Sequence, residues 1–348
     1  MSRSILFLLA VGSFCWSDTI NLVSAQDATR SDPGSARVVK HFNYPKAIEL
    51  KRGAARAVLC PEAGGRVLDF LVAGKSAMYL DEQEREWQPE KSGSISAGRF
   101  DYGPELVTTP HPKLWSGEWT GEIVGPCQAK LTSPRDEAAG IQLVREYSLT
   151  DETKLDGKPV APSLICKQTI TNISDKVQEV CHWGRSFSPG GGICLIPLGD
   201  RPSRFPSKYA MYEDSAIINV RNQDDLIRER DGFLEILAPP RKPKLGFDSH
   251  AGWLGYLMPN DALFVKRFAT YPDRVYNEAA GLTLSVWYPT GPRIELEPIG
   301  PRERLKPGES ASFTEEWSLL PHPFPKEGQQ VDLKHLSEQV KKSLGDAK

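Results

Sequence analysis

The sequence predicts an all-β protein: one large antiparallel β-sandwich closed by a short C-terminal helix. Three observations carry that expectation. Before residue 330 no run keeps its apolar residues at helical spacing over three turns. The chain is instead a succession of strand-length runs, alternating or apolar, separated by turn residues. It also holds 28 Pro, 29 Gly, eight Trp and ten Tyr in 348 residues, a composition suited to many turns between aromatic-rich strands. A β chain of this size must hide its sheet edges by closure or by stacking two sheets. Strands that recur without a repeat motif favour a sandwich over a propeller.

The first residues are expected to be a signal peptide. Met1-Ser2-Arg3 is a minimal positive start, Ile5–Val11 a short apolar core, and Val23-Ser24-Ala25 a small-residue cleavage site. Residues 1–25 would then be removed near Ala25, leaving Gln26 at the new N-terminus of a periplasmic or secreted chain. The alternative is a frayed cytosolic N-terminus. The apolar run falls short of the ~20 residues a spanning helix needs, so no membrane span is expected. Phe14 before Cys15 is too bulky for lipoprotein processing. Residues 26–37 are polar and turn-rich and read as a disordered lead-in.

From Val38 the strand-like runs begin: Ala47–Leu50, Ala54–Leu59, Arg66–Val72 and Ala77–Leu80, then Glu122–Val124, Cys127–Leu131, Ile141–Leu149, Ser163–Thr171 and Lys176–Trp183. Asn172-Ile173-Ser174-Asp175 reads as a hairpin turn between the last two. Ala216–Val220, Phe233–Ala238, Leu254–Met258, Leu263–Phe268, Leu282–Tyr288 and Ile294–Leu296 follow. No composition break divides residues 38–320, so one domain is expected. Residues 321–348 differ. A Pro-rich connector (Pro321, Pro323, Pro325) leads to Val331, Leu333, Leu336, Val340 and Leu344 at helical spacing, which predicts an amphipathic helix packed back on the sandwich.

A net charge of −2 gives no pull toward nucleic acid or an anionic membrane. Five cysteines follow the expected cleavage site, an odd number without CxxC spacing, so a zinc site is not expected. Buried free thiols are the simplest reading, with a Cys166–Cys181 bridge as the alternative. There is no GxSxG elbow, HExxH pair or GxxxxGK[ST] loop. The glycine-rich Ser188–Ile193 leads into an apolar strand and reads as a loop, as do Tyr271–Tyr276 and the surroundings of His250.

The candidate chemistry lies in four segments. Arg293-Ile294-Glu295-Leu296-Glu297-Pro298-Ile299-Gly300-Pro301 is a strand with Glu295 and Glu297 on one face. Pro298 marks where it enters a loop, so Glu297 is expected at a pocket rim, a solvated carboxylate being the alternative. Pro61–Phe70 is a glycine turn into a strand bearing Arg66. Gly98–Glu105 and Pro110–Trp115 read as a loop that offers Arg99, His111 and Trp115. Val180–Phe187 carries His182, a strand histidine beside Trp183 that reads on its own as a core histidine bonded to a backbone carbonyl.

In this order, and with Leu305-Lys306-Pro307-Gly308-Glu309-Ser310 after them, these segments resemble the aldose 1-epimerase (galactose mutarotase-like) superfamily, and more closely its uncharacterised exported members. Together they span most of the mature chain. The resemblance implies a β-supersandwich and an acid–base site without metal or organic cofactor. Glu297 would remove the anomeric hydroxyl proton and His182 would protonate the ring oxygen. Arg66, Arg99, His111 and Trp115 would bind substrate. The pattern departs at His111, which sits between prolines without the usual following glycine. Three functions follow: a sugar mutarotase or epimerase, a carbohydrate-binding protein without turnover, or a structural envelope protein that binds a partner. The first requires His182 and Glu297 to face each other across one concave surface. The partner in the first two is a sugar or glycan.

Overall fold

The computed structural model describes residues 33–88, 95–150, 153–155, 158–214 and 217–344. The expected signal peptide, Cys15 and most of the lead-in lie outside them. Two large antiparallel sheets stack face to face, as the strand runs predict. The first has thirteen strands. Its main path runs Ser35–His41, Tyr44–Arg52, Ala55–Cys60, Arg66–Val72, Gly98–Gly103, Gln178–Pro189, Arg293–Pro298, Leu284–Trp287, Lys244–Phe247, Ala210–Tyr212 and Ile218–Asn219. The second has ten strands in the order Ile227–Arg230, Phe233–Ile236, Ile193–Pro197, Trp253–Met258, Ala262–Phe268, Ser310–Pro321, Ser163–Asn172, Ile141–Leu149, Gln128–Thr132 and Thr120–Gly125.

Period-2 alternation builds the core between them. In Ile141–Leu149 the odd-numbered residues Ile141, Leu143, Arg145, Tyr147 and Leu149 are all buried. Arg145 is tolerated there because backbone carbonyls receive it: Gly65 at 3.0 Å, Phe100 at 2.8 Å, and Gly64. A second polar knot joins the sheets. Lys266 Nζ meets the Glu315 carboxylate at 3.0 Å, both side chains being fully buried. Lys266 also donates to Ser186 Oγ (3.1 Å) and to the Leu296 carbonyl (2.9 Å). Gly184 stands opposite this pair because a Cβ there would lie 1.9 Å from Glu315 Oε1.

The C-terminal helix, Leu333–Leu344, buries Leu333, Leu336, Val340 and Leu344. They pack against Leu195, Leu257, Leu263 and Val265 on the outer face of the ten-stranded sheet, leaving the outer face of the thirteen-stranded sheet free for a site. No helix among the described residues is long and apolar enough to cross a membrane.

Three expectations are corrected. Asn172–Asp175 is not a hairpin turn, because the strands it joins belong to different sheets. Asn172 is buried and ties this crossover. Its Nδ2 donates to the carbonyls of Lys176 (2.6 Å) and Leu305 (2.9 Å), while Oδ1 accepts from Ser174 N (2.9 Å). Gly98–Gly103 is a strand inside the first sheet rather than a loop. Cys166 and Cys181 lie on separate sheets and are not bridged; with Cys60 and Cys194 they are buried free thiols, and Cys127 is buried too.

Candidate active site

Antiparallel pairing gathers one row of side chains on the outer face of the first sheet. Lys244 pairs with Trp287, Trp287 with Glu295, and Glu295 with Phe187. Paired residues point to the same face, so these four stand side by side. One step along, Arg185 pairs with Arg99, and Ser285 with Glu297. A cavity of about 930 Å³ opens above these rows. Its floor and walls include Arg99, Arg185, Phe187, Lys244, Trp287 and Glu295, and Glu278 and Tyr212 close one side.

The charges are held tightly. Arg99 Nη2 donates to Glu295 Oε1, and Arg185 Nε donates to the same oxygen at 3.0 Å. Burial pushes the Glu295 carboxyl up, but the two guanidiniums override it and hold it well below the usual carboxylate range. Glu297, fully buried beneath, accepts from Lys244 Nζ at 2.7 and 2.9 Å and from Trp183 Nε1 at 2.8 Å. Burial raises its carboxyl, with the nearby Glu295 charge adding to the rise against the pull of Lys244. Rings and cations then alternate. Arg185 lies over Trp183 (4.9 Å) and Trp115 (5.3 Å), while Arg99 lies over Trp115 (4.9 Å) and Phe187 (4.0 Å). Phe187 and Trp287, 6.0 Å apart, line the cavity, Phe187 buried with Arg99 and Arg293 (4.8 Å) on its ring and Trp287 half-buried.

Scans against protein-family models and curated sequences find no match. Solved structures do match. The Slr1438 protein of Synechocystis sp. PCC 6803 superposes with a TM-score of 0.56 at 15% identity, over 82% of this chain and 99% of that one. A galactose mutarotase-like protein from Lactobacillus casei ATCC 334 gives 0.55 at 12%, over 79% and 100%. A candidate aldose 1-epimerase from Escherichia coli K12 gives 0.55 at 11%, over 79% and 99%. This chain has the galactose mutarotase-like fold.

Within that mutarotase-like frame the sequence candidates separate. Arg99 lines the cavity. Trp115 touches the site by covering Arg99 and Arg185, so its ring is occupied by guanidiniums. His111 stands one shell back. Its Nε2 pairs with Asp101 Oδ1 at 2.7 Å, and Asp101 Oδ2 lies 3.7 Å from Arg185. Burial lowers His111, but Asp101 overrides it and leaves the imidazole raised. Arg66 is buried away from the cavity, bonded to the Ser96 carbonyl (2.6 Å), Tyr44 Oη (2.8 Å) and Glu84 (2.6 Å).

His182 and Glu297 do not face each other across one surface. On strand Gln178–Pro189, Trp183, Arg185 and Phe187 take the cavity face, and period 2 turns His182 the other way. Its ring stacks on Phe313 of the second sheet (5.8 Å), and Nε2 donates to the Ala311 carbonyl at 3.2 Å. Burial pulls its pKa to about 4, so the imidazole is neutral at pH 7. Among the described residues no histidine lines the cavity.

Lys244, Glu278, Arg185, Phe187 and Trp287 were not singled out by sequence reasoning. The signal for Arg185 and Phe187 was present: they share parity with Trp183 and are offset from His182. Lys244 and Glu278 sit in Arg241-Lys242-Pro243-Lys244 and Tyr276–Gly281, outside every strand-like run the sequence shows. Among the described residues no group of three or more His, Cys, Asp or Glu is gathered for a metal ion.

Proposed function

We propose that this protein binds carbohydrate in the cavity on the outer face of the thirteen-stranded sheet. The observation that carries this reading is the half-buried Trp287 ring, lining the cavity beside the buried Phe187, within a rim of fixed charges on rigid strands. Ring faces take the apolar face of a pyranose, and the charged rim takes its hydroxyls. At about 930 Å³ the cavity lies near the top of the ~300–1,000 Å³ typical of small-molecule sites. It has room for a disaccharide or for a sugar bearing a substituent. The mutarotase-like fold agrees with a sugar ligand. The His182–Glu297 mechanism is not supported, because the imidazole is in the core and Glu297 is sealed beneath Lys244 and Trp183.

We also propose export, on the pattern of Met1–Ala25; N-terminal sequencing of chain recovered from cells would find Gln26 first if it holds.

Saturation-transfer difference NMR on the full chain tests binding, with glucose, galactose, glucuronate, galacturonate and maltose as probes. Transfer to ring protons with at least one probe, lost in Trp287→Ala, is the expected result. Equal transfer in that variant, or none with any probe, overturns the reading.

A further inference from the structure

We propose that this cavity selects an amino sugar, whose ammonium group supplies the counter-ion that Glu278 lacks. The inference rests on the sugar-binding reading above and names the ligand class for that site. Glu278 lies on the turn that enters strand Leu284–Trp287, where its carbonyl accepts from Gly281 N at 2.8 Å and from Leu282 N at 3.1 Å. Arg204 ties the same turn by donating to the Gly281 carbonyl at 2.7 Å. Glu278 is 3% exposed, yet it lines the cavity. Oε2 accepts one backbone N–H, that of Glu105, at 2.8 Å. Oε1 has no protein partner among the described residues, and no Lys or Arg among them forms an ion pair with Glu278.

The cavity's own cations are committed elsewhere. Glu295 holds Arg99 and Arg185, and Glu297 holds Lys244 at 2.7 Å. Glu213 is held by Arg241, and Lys242, the remaining lining cation, acts on Glu213 as well. The titratable and charged groups that face Glu278 are Glu105, Tyr212, Lys244, Glu297 and the Cys181 thiol. Three carboxylates therefore share one ammonium, and that ammonium already sits on Glu297. Burial is the largest influence on Glu278 and, with the Glu105 and Glu297 charges, outweighs the Glu105 N–H and Lys244, raising the carboxyl to about 7.

A buried carboxylate without a cation is costly, and a ligand that brings the cation removes that cost. A sugar hydroxyl can bond Oε1 but leaves the charge uncompensated. A primary ammonium brings three N–H donors and a full positive charge. Such charge-assisted bonds are about twice as strong as neutral ones. Gly103 lets the carboxyl seat closely, since a Cβ there would lie 2.9 Å from Oε2. A bound ammonium holds Glu278 ionised. Below pH 7 the binding of an amino sugar therefore releases the proton that burial keeps on the empty site. Acetylation of the amine removes its charge and, with it, the contact.

Titration of the full chain with glucosamine, galactosamine, glucose, galactose and N-acetylglucosamine tests this. Affinities are read by NMR at pH 7, and proton release by calorimetry at pH 6 in two buffers of different ionisation enthalpy. At least one amino sugar should bind about tenfold more tightly than its neutral counterpart. It should release close to one proton at pH 6, and N-acetylglucosamine should show no gain over glucose. Glu278→Gln, which cannot ionise, should bring amino and neutral sugars to the same affinity and abolish the proton release. Equal affinities in the wild type, or a preference that survives Glu278→Gln, overturn the inference and leave the sugar-binding reading standing. N-acetylglucosamine bound as tightly as glucosamine overturns it too, because the contact would then be to the substituent and not to its charge. Should Glu278→Gln not fold, amino-sugar binding by the wild type without proton release at pH 6 overturns it equally. No binding by these probes or by the earlier five removes both readings.

Discussion

Replacing Glu278 by Gln should reshape the dependence of stability on pH. The folded carboxyl titrates at about 7 against an ordinary 4.5. That shift corresponds to about 3 kcal/mol. Between those values the folded state binds more protons than the unfolded one, so its contribution is full below pH 4.5 and is lost as pH rises through 7. His182 acts with the opposite sign. Its folded pKa is depressed from 6.5 to about 4, so its contribution is present above pH 6.5 and lost as pH falls through 4. In the wild type the two slopes nearly offset each other. Glutamine keeps the shape of the neutral acid but cannot titrate, so the variant should match the wild type near pH 4.5 and exceed it by about 3 kcal/mol above pH 7. Urea unfolding across this range, read by tryptophan fluorescence, measures the difference. Wild-type and variant curves that stay parallel would show that Glu278 is an ordinary ionised carboxylate, and the argument from its burial would fall.

Other substitutions probe the frame around it. Lys244→Met leaves Glu297 buried with only the Trp183 N–H, and should cost about 3–5 kcal/mol by urea unfolding, partly recovered by adding Glu297→Gln. Gly184→Ala drives a Cβ to 1.9 Å from Glu315 Oε1 and should cost about 3 kcal/mol, the upper end of ordinary overpacking; unchanged stability would contradict the contact. His182→Phe keeps the stack on Phe313 but not the imidazole, so sugar signals in saturation-transfer difference NMR should be unchanged, and loss of binding would place His182 in the site after all. Leu336→Ala on the C-terminal helix should cost about 2–5 kcal/mol, measured by thermal or urea unfolding.

The sandwich was legible because alternation is local: Ile141–Leu149 and Ser163–Asn172 declare their strands without knowing their neighbours. The C-terminal helix was legible for the same reason, from Leu333, Leu336, Val340 and Leu344. Pairing is not local. Asn172–Asp175 has the composition of a hairpin turn, but buried bonds from Asn172 to Leu305, far along the chain, make it a crossover between sheets. The site was half legible. Glu295 and Glu297 read as one face from strand parity alone, whereas Arg99 was a candidate only by its place in the family pattern, in a segment expected to be a loop. Which of the two carboxylates meets the cavity depends on Lys244, which arrives from a strand that cannot be read from Lys242-Pro243-Lys244. His182 was drawn into the site by its place in a family pattern, whereas its parity against Arg185 turns it to the core.

The central claim is that sugar is held on the outer face of the thirteen-stranded sheet. A crystal structure of the full chain grown with a saturating probe sugar tests it most directly. The account predicts a sugar ring against Trp287, with hydroxyls within hydrogen-bond reach of Glu278 and the charged rim. A sugar seated elsewhere, for example in the smaller cavity beside Arg201, Arg204 and His250, or no sugar at saturation, would contradict it.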